Sequence, residues 1–73
     1  EGESLAREPV LVVEDVTTTG GSALKAIAIL RGLGAEVRHV ATVVDREEGG
    51  ADALARKAVR LHPLFRAQDI LQA

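Results

Sequence analysis

One stretch decides the fold, and it reads Pro9-Val10-Leu11-Val12-Val13-Glu14-Asp15-Val16-Thr17-Thr18-Thr19-Gly20-Gly21-Ser22-Ala23. The apolar run from Val10 to Val13 has no polar alternation, which is typical of a parallel strand covered on both faces. Pro9 suits the first position of such a strand, where its missing N–H costs little. Glu14 and Asp15 interrupt the run at its carboxyl end, where open α/β sheets bind ligands. The stretch therefore predicts a strand, a ligand-binding loop and the start of a helix.

The segment from Thr17 to Gly21 predicts a phosphate-binding loop. Glycine tolerates positive φ and close approach, so consecutive N–H groups can point at one anion. A helix that begins near Ser22 adds unpaired N–H groups and the positive end of its dipole. A Walker A loop would need a lysine directly after Gly21, where this chain has Ser22. That difference argues against a nucleoside-triphosphatase loop.

The two carboxylates beside this loop indicate that the ligand carries more than a phosphate. A phosphate would be repelled by Glu14 and Asp15 unless these side chains bind another part of the ligand. A ribose fits, because its hydroxyls donate to carboxylates and anionic groups stabilise positive charge at the anomeric carbon. The alternative is an ordinary strand–turn–helix, in which Ser22 or Thr19 caps the helix and both acids are solvated.

The rest of the chain predicts a continuing alternation of helices and strands. A helix is expected from Ser22 to Leu33, with Gly34 in the left-handed position that ends it. Further along are expected a strand at Val37–Val44, a helix at Ala51–Ala58, a short half-buried strand at Val59–His62, a turn at His62-Pro63 and a terminal helix. The residues expected in the core of this last part are Leu64, Phe65, Ala67, Ile70 and Leu71.

A charged loop ends the predicted second strand on the ligand side, and it reads Asp45-Arg46-Glu47-Glu48-Gly49-Gly50. Such a run is usually a solvated loop, in which Arg46 pairs with Glu47 or Glu48. The alternative is that the Arg46 guanidinium binds a ligand carboxylate through two parallel hydrogen bonds. His39 is expected to be structural or solvent-facing. Lys25 is expected in solvent, with a phosphate contact as the alternative.

Composition excludes several classes of protein. The chain has 73 residues, 47% of them hydrophobic and 27% charged, which describes one globular domain or part of one. The net charge of −2 argues against a general surface for nucleic acid or anionic membrane. No cysteine is present, so disulfides and thiolate zinc sites are excluded. No apolar run approaches the ~20 residues of a membrane span.

Residues 12–22 resemble the phosphoribosyl-pyrophosphate motif of the type I phosphoribosyltransferases, and they read Val12-Val13-Glu14-Asp15-Val16-Thr17-Thr18-Thr19-Gly20-Gly21-Ser22. The triple threonine resembles the orotate phosphoribosyltransferases in particular. Two later segments do so as well, namely Asp45-Arg46-Glu47-Glu48-Gly49-Gly50 and Leu64-Phe65-Arg66-Ala67-Gln68-Asp69-Ile70-Leu71. The resemblance covers about Val10 to Leu71. It implies a Rossmann-like α/β fold, with a parallel β-sheet flanked by helices.

The resemblance also implies an enzyme, a pentosyltransferase of pyrimidine (UMP) synthesis. Its reaction would move the ribose 5-phosphate group of phosphoribosyl pyrophosphate to orotate, giving orotidine 5-monophosphate and pyrophosphate. Glu14 and Asp15 are expected to be catalytic, by holding the ribose hydroxyls and stabilising a cationic sugar. Thr18 and Arg46 are expected to bind orotate. The residues expected to bind phosphoribosyl pyrophosphate are Glu14, Asp15, Val16, Thr17, Thr18, Thr19, Gly20, Gly21 and Ser22.

The same resemblance sets expectations for cofactor, partners and location. Magnesium would be bound mainly through phosphoribosyl pyrophosphate, with no protein metal ligand assigned. A cytoplasmic homodimer with shared active sites is expected, without a nucleic-acid or membrane partner. Residues 1–9 are expected to be a linker that follows a missing amino-terminal part and its catalytic loop. Residues 10–73 would then be the carboxyl-terminal part of the domain, inactive alone.

Two alternatives remain open. A purine or uracil phosphoribosyltransferase would share the first motif but would lack an orotate-type loop at residues 45–50. A regulatory protein of the same fold would sense phosphoribosyl pyrophosphate and act on nucleic acid, and a basic patch would favour it.

Overall fold

The computed structural model describes residues 6–71, and strands and helices alternate along them. The elements are β1 (Pro9–Thr17), α1 (Gly21–Gly32), β2 (Glu36–Asp45), α2 (Gly50–Ala55), β3 (Arg60–Arg66) and α3 (Ala67–Leu71). This alternation confirms the predicted α/β class. None of the helices within residues 6–71 has the length and hydropathy that crossing a bilayer requires.

The described strands form one parallel sheet in the order β1-β2-β3. The register pairs Val12 with Val40 in the middle of the sheet and Thr17 with Asp45 at its end. Asp45 is paired in turn with Arg66 of β3. Because the strands are parallel, their carboxyl ends lie side by side at one edge. The loops that follow β1 and β2 therefore emerge next to each other, as the sequence predicts.

The core lies on one face of the sheet. Its buried residues come from β1, α1, β2 and α2 and from the segments beside them, and they are Val12, Ala23, Ile27, Ala35, Val37, Val40, Leu54 and Val59. On the other face of β1, Leu11 is 56% exposed and Val13 is 69% exposed. The prediction that this strand is covered on both faces is therefore confirmed for one face only within residues 6–71. Side chains in β1 alternate between the two faces, as strand geometry requires.

Helix α1 is flanked by two glycines with positive φ. Gly20 is the N-cap, with φ of 92°, and no side chain caps the helix there. Gly34 has φ of 98°, which confirms the predicted left-handed position after the helix. The Ala35 amide donates to the Leu30 carbonyl at 3.0 Å, closing the last turn. The capping by Ser22 or Thr19 that the alternative interpretation of this loop required is not found.

The last third of the chain differs from the sequence prediction. The turn predicted at His62-Pro63 is absent, because β3 continues through Pro63 to Arg66. Within the described sheet β3 is an edge strand, where a proline is tolerated. Helix α2 ends at Ala55, three residues before the predicted end. The prediction that the late apolar residues form a core is also wrong, because large exposed fractions are found for Leu64, Phe65, Ile70 and Leu71.

The start of the chain is only partly described. Of the predicted linker at residues 1–9, residues 1–5 lie outside the described part, and Pro9 already belongs to β1. The Arg7 amide donates to the Gly34 carbonyl at 2.7 Å, and the Glu36 amide donates to the Glu8 carbonyl at 2.8 Å. These bonds tie the segment before β1 to the start of β2.

His39 and Lys25 lie where the sequence predicts, on the surface. His39 Nδ1 is 2.9 Å from Nε2 of His62, which belongs to the neighbouring strand. This pair lies near the amino-terminal ends of β2 and β3, away from the edge where the two loops emerge.

Candidate active site

The two carboxylates lie within β1 rather than after it. The strand extends to Thr17, four residues beyond the end of the predicted apolar run, so Glu14 and Asp15 have strand backbone. Neighbouring strand residues direct their side chains to opposite faces. Glu14 is half-buried and lies on the side of the core, whereas Asp15 is exposed on the other side. Within residues 6–71 neither carboxylate has a side-chain ion pair or hydrogen bond.

A small recess lies where β1 meets α1. It brings together seven of the nine residues predicted to bind phosphoribosyl pyrophosphate, and its lining consists of Glu14, Val16, Thr17, Thr18, Gly20, Gly21, Ser22 and Ala23. Asp15 and Thr19 are the two predicted residues that are not part of this lining. Its walls come from a strand end, a loop and a helix start, and anion-binding sites of proteins are typically built in this way.

The first turn of α1 presents backbone N–H groups that the helix itself does not use. The first intrahelical bond is donated by the Leu24 amide to the Gly20 carbonyl, at 2.9 Å. The N–H groups before Leu24 in the first turn therefore have no helical acceptor. The first turn contains no acidic side chain, and no side chain caps the helix. An anion in the recess would meet these donors and the positive end of the helix dipole without a competing carboxylate in that turn.

Thr17 carries an unpaired hydroxyl inside the protein. The residue is 3% exposed, and its Oγ1 has no hydrogen-bond partner. Among the residues that the structure describes, this is the only buried side-chain polar atom without one. Burial of an unpaired hydroxyl costs about 1–3 kcal/mol. Thr17 also lines the recess, so an anion bound there is a candidate acceptor for this hydroxyl.

The loop after β2 is held against the end of β1. The Arg46 amide donates to the Thr17 carbonyl at 2.9 Å, so the backbones of the two loops are in direct contact. The Arg46 guanidinium is an exposed group whose Nε lies 3.3 Å from Oε2 of Glu48. Exposed ion pairs of this kind contribute little to stability. The local pairing predicted from the sequence is therefore confirmed, and it leaves the guanidinium free to exchange Glu48 for a ligand carboxylate.

Sequence reasoning missed three structural residues of this second loop. Asp45 is buried, and its Oδ1 accepts a hydrogen bond from the Glu47 amide at 2.8 Å. Glu47 has φ of 60°, which costs free energy for a residue with a Cβ. Gly50 is buried although the loop around it is exposed. An aspartate at the end of a strand, two residues before a glutamate, only weakly indicates that its carboxylate accepts from the glutamate amide. Nothing in the sequence indicates the contacts of Gly50.

A larger groove lies away from these two loops. It encloses about 600 Å³ at the amino-terminal ends of the strands, and its walls include Pro9, Leu11, His39, Ala41 and His62. Glu36 and Arg38 also line this groove, but no helix start contributes to it. The edge where the two loops emerge remains the candidate active site because ligands of open α/β sheets bind at the carboxyl ends of the strands.

Comparison with known proteins agrees with this geometry. The family model described as "Phosphoribosyl transferase domain" matches residues 2–62. The chain belongs to this family. The matched range includes the recess, the whole of β2 and the loop that contains Arg46. Family membership therefore rests on both of the loops that the sequence singled out.

Two curated relatives of the chain are both named orotate phosphoribosyltransferase. The chain is 54% identical over 69 residues to an orotate phosphoribosyltransferase of Bradyrhizobium sp. (strain ORS 278). The aligned residues make up 94% of this chain and 37% of that relative. It is 47% identical over 73 residues to an orotate phosphoribosyltransferase of Pyrococcus furiosus, covering 100% of this chain and 40% of the relative. The chain thus spans about two fifths of the length of these relatives.

Solved structures of this family have the same fold. An orotate phosphoribosyltransferase from Aeropyrum pernix superposes with a TM-score of 0.88 at 42% identity, over 90% of this chain and 40% of the other. The enzyme from Mycobacterium tuberculosis, solved in complex with 5-phospho-alpha-D-ribosyl 1-diphosphate, superposes with a TM-score of 0.83 at 43% identity, over 96% and 43%. These matches confirm the predicted type I phosphoribosyltransferase fold.

The unpaired Thr17 hydroxyl generates a prediction in which stability and binding change in opposite directions. Thr17→Val removes a buried hydroxyl that has no partner, so the free energy of unfolding should rise by about 1 kcal/mol. If the hydroxyl donates to a bound phosphate, the same change should weaken phosphoribosyl-pyrophosphate binding about tenfold. Urea-induced unfolding and titration calorimetry measure the two effects.

Thr42→Val is the matched control for this substitution. Thr42 is also buried, but its Oγ1 donates to the Val44 carbonyl at 3.2 Å. Its replacement should lower the free energy of unfolding by about 1 kcal/mol and leave ligand binding unchanged. A Thr17→Val protein that is destabilised like the control, with unchanged ligand affinity, would show that the Thr17 hydroxyl does not serve the ligand.

Proposed function

We propose that the complete polypeptide carrying this sequence is an orotate phosphoribosyltransferase. It transfers the ribose 5-phosphate group of phosphoribosyl pyrophosphate to orotate, and the products are orotidine 5-monophosphate and pyrophosphate. The observation that carries the proposal is the direct contact between the recess loop and the Arg46 loop, through the Arg46 amide and the Thr17 carbonyl. That contact supports the proposal because it brings the recess, which is the proposed phosphate site, and the Arg46 loop to the same edge of one sheet.

The recess binds the 5-phosphate of the sugar in this proposal. Thr17 to Ser22 supply backbone N–H groups and hydroxyls, and the positive end of the α1 dipole adds to the attraction. This binding takes place away from the reacting atoms. It fixes the anomeric carbon relative to the base, so orientation supplies part of the rate enhancement.

The carboxylates of Glu14 and Asp15 act on the ribose. Both lack ion-pair partners within residues 6–71, so neither has to leave another group before it binds the sugar hydroxyls. The bond to pyrophosphate breaks at the anomeric carbon, where positive charge develops in the transition state. Fixed negative charge near that carbon stabilises the transition state more than the ground state.

The second loop selects the base. Orotate carries a carboxylate that uracil lacks, and the planar Arg46 fork matches a carboxylate with two parallel hydrogen bonds. In the exposed Arg46–Glu48 ion pair, this guanidinium already pairs with a carboxylate through Nε at 3.3 Å. Thr18, which lines the recess beside Thr17, is proposed as a second orotate contact.

Magnesium fits this arrangement as an ion carried by the substrate. No cluster of three or more metal-ligating side chains occurs within residues 6–71, and Mg²⁺ typically takes one or two carboxylates together with phosphate oxygens and water. When bound, the ion neutralises the charge of the diphosphate. Glu14, which lines the recess, and Asp15, its neighbour in β1, are the carboxylates that would hold its water shell. A cytoplasmic homodimer with shared active sites is also proposed, and only the family resemblance supports it.

Arg46→Ala tests how the base is selected. Loss of a charged hydrogen-bonding partner costs about 1.5–3 kcal/mol, so the KM for orotate should rise by about 10- to 100-fold. The KM for phosphoribosyl pyrophosphate should change less than about threefold, because Arg46 holds the neighbouring loop through its backbone amide. Arg46→Lys keeps the charge but loses the planar guanidinium, so its KM for orotate should lie between those of the unsubstituted protein and Arg46→Ala. Equal rises of both KM values would make Arg46 a loop-stabilising residue.

Asp15→Asn tests the role of the exposed carboxylate. The substitution keeps the shape and removes the negative charge, so kcat should fall by about 100-fold. The free energy of unfolding should change by less than about 0.5 kcal/mol, because the side chain is exposed. Glu8→Gln, just before the other end of β1, is the control and should leave kcat unchanged. An Asp15→Asn protein with the kcat of the control would remove Asp15 from the mechanism.

A further inference from the structure

Gly50 is the residue at which the second loop meets the phosphate loop most closely. A Cβ built on Gly50 would lie 2.7 Å from Cγ2 of Thr17 and 2.8 Å from the carbonyl oxygen of Thr18. Real Cβ atoms essentially never approach other atoms this closely, so one of the two loops would have to move. The residue is buried, and its φ is not in the positive range that glycine alone prefers. Space rather than backbone conformation therefore demands a glycine here.

The contact is reciprocal. A Cβ built on Gly20, the N-cap of α1, would lie 3.4 Å from both the Cα and the carbonyl oxygen of Gly50, and 3.6 Å from the Ala53 Cβ. The start of α2 is thus packed against the start of α1, glycine to glycine. Because a helix start supplies the phosphate donors in the proposed function, α2 abuts the very backbone that would hold the phosphate.

Gly50 and Arg46 anchor the second loop at two points. Near its beginning, the Arg46 amide donates to the Thr17 carbonyl at 2.9 Å. At its end, Gly50 lies against Thr17 and Thr18. Both anchors are on the same two-residue segment of the phosphate loop. The separation between that segment and the Arg46 backbone is therefore set by one backbone hydrogen bond and by the packing of Gly50 against the Thr17 side chain and the Thr18 carbonyl.

We propose that Gly50 is a positioning residue, which fixes the separation between the phosphate loop and the base-selecting Arg46 loop. This inference rests on the proposed function and goes beyond it, because Gly50 does not line the recess and is assigned no substrate contact there. A methyl group at this position wedges the two loops apart. Each substrate still finds its own loop, but the anomeric carbon and the base are no longer aligned. Misplacement by about 1 Å costs about 100-fold in rate.

Gly50→Ala tests the inference in the complete polypeptide. We expect kcat to fall by about 100-fold, while the affinity for phosphoribosyl pyrophosphate, measured by calorimetry without a base, falls less than about tenfold. Gly49→Ala is the matched control in the same loop. Gly49 has φ of 100° and nothing within 4 Å of a built Cβ, so alanine strains the loop without touching the phosphate loop. This control should keep kcat within about threefold of the parent.

A rescue experiment separates a wedge from a general loss of structure. Thr17→Ser keeps the hydroxyl but removes Cγ2, the closest atom to the new methyl group. Added to Gly50→Ala, it should recover at least about threefold in kcat. If Gly50→Ala does not fold, Ala53→Val replaces it, because a larger side chain at Ala53 presses on Gly20 from α2. This variant should also lower kcat much more than it lowers the affinity for phosphoribosyl pyrophosphate.

Three results would overturn the proposal. The first is an unchanged kcat in the folded Gly50→Ala protein, and the second is an equal loss in Gly49→Ala. The third is a loss in kcat/KM explained entirely by weaker phosphoribosyl-pyrophosphate binding. The unsubstituted protein distinguishes a failure of the proposed role of Gly50 from a failure of the proposed function. If it binds phosphoribosyl pyrophosphate and turns over orotate, only the role of Gly50 is refuted.

Discussion

The parallel register between β1 and β2 is the constraint on which the site depends. It pairs Thr17 with Asp45, so that both strands end at the same level and the loops after them leave the sheet together. The Arg46 amide then closes the contact by donating to the Thr17 carbonyl. A shift of one residue would turn every side chain of one strand to the other face. The buried pair Val12 and Val40 opposes such a shift, so core packing also fixes the geometry of the two loops.

Within residues 6–71, three polar features at this edge lack a protein partner or carry backbone strain. The first N–H groups of α1 lack helical acceptors, the Thr17 hydroxyl is buried without a partner, and Glu47 has positive φ. Each of these features costs free energy in the unliganded protein. The Thr17 hydroxyl and the strained Glu47 both belong to the two loops, whereas the core cluster beneath them is apolar. This distribution is typical of a binding site supported by a rigid sheet.

The sequence was informative where local chemistry determines the structure and misleading where distant contacts do. The apolar run, the glycines of the first loop and Gly34 predict β1, the recess and the end of α1 correctly. Tertiary pairing with β2 extends β1 through Glu14 and Asp15, and pairing of β3 with the same strand overrides the turn expected at Pro63. The importance of Gly50 could not be predicted, because it arises from a contact between residues more than 30 positions apart. Leu64 and Phe65 point to opposite faces of β3 and both are exposed, so neither face of this edge strand is covered at its carboxyl end within residues 6–71.

The most direct measurement is pyrophosphate release by the complete polypeptide, with phosphoribosyl pyrophosphate and magnesium, in the presence of one base at a time. Orotate, uracil, adenine, guanine and hypoxanthine cover the bases that the alternative activities would use. The proposed site predicts turnover with orotate alone, because orotate is the one base among them with a carboxylate for Arg46. Turnover with another base but not with orotate would contradict the assignment of the Arg46 loop. Binding of phosphoribosyl pyrophosphate without turnover of any base would contradict the enzyme and favour a regulatory protein.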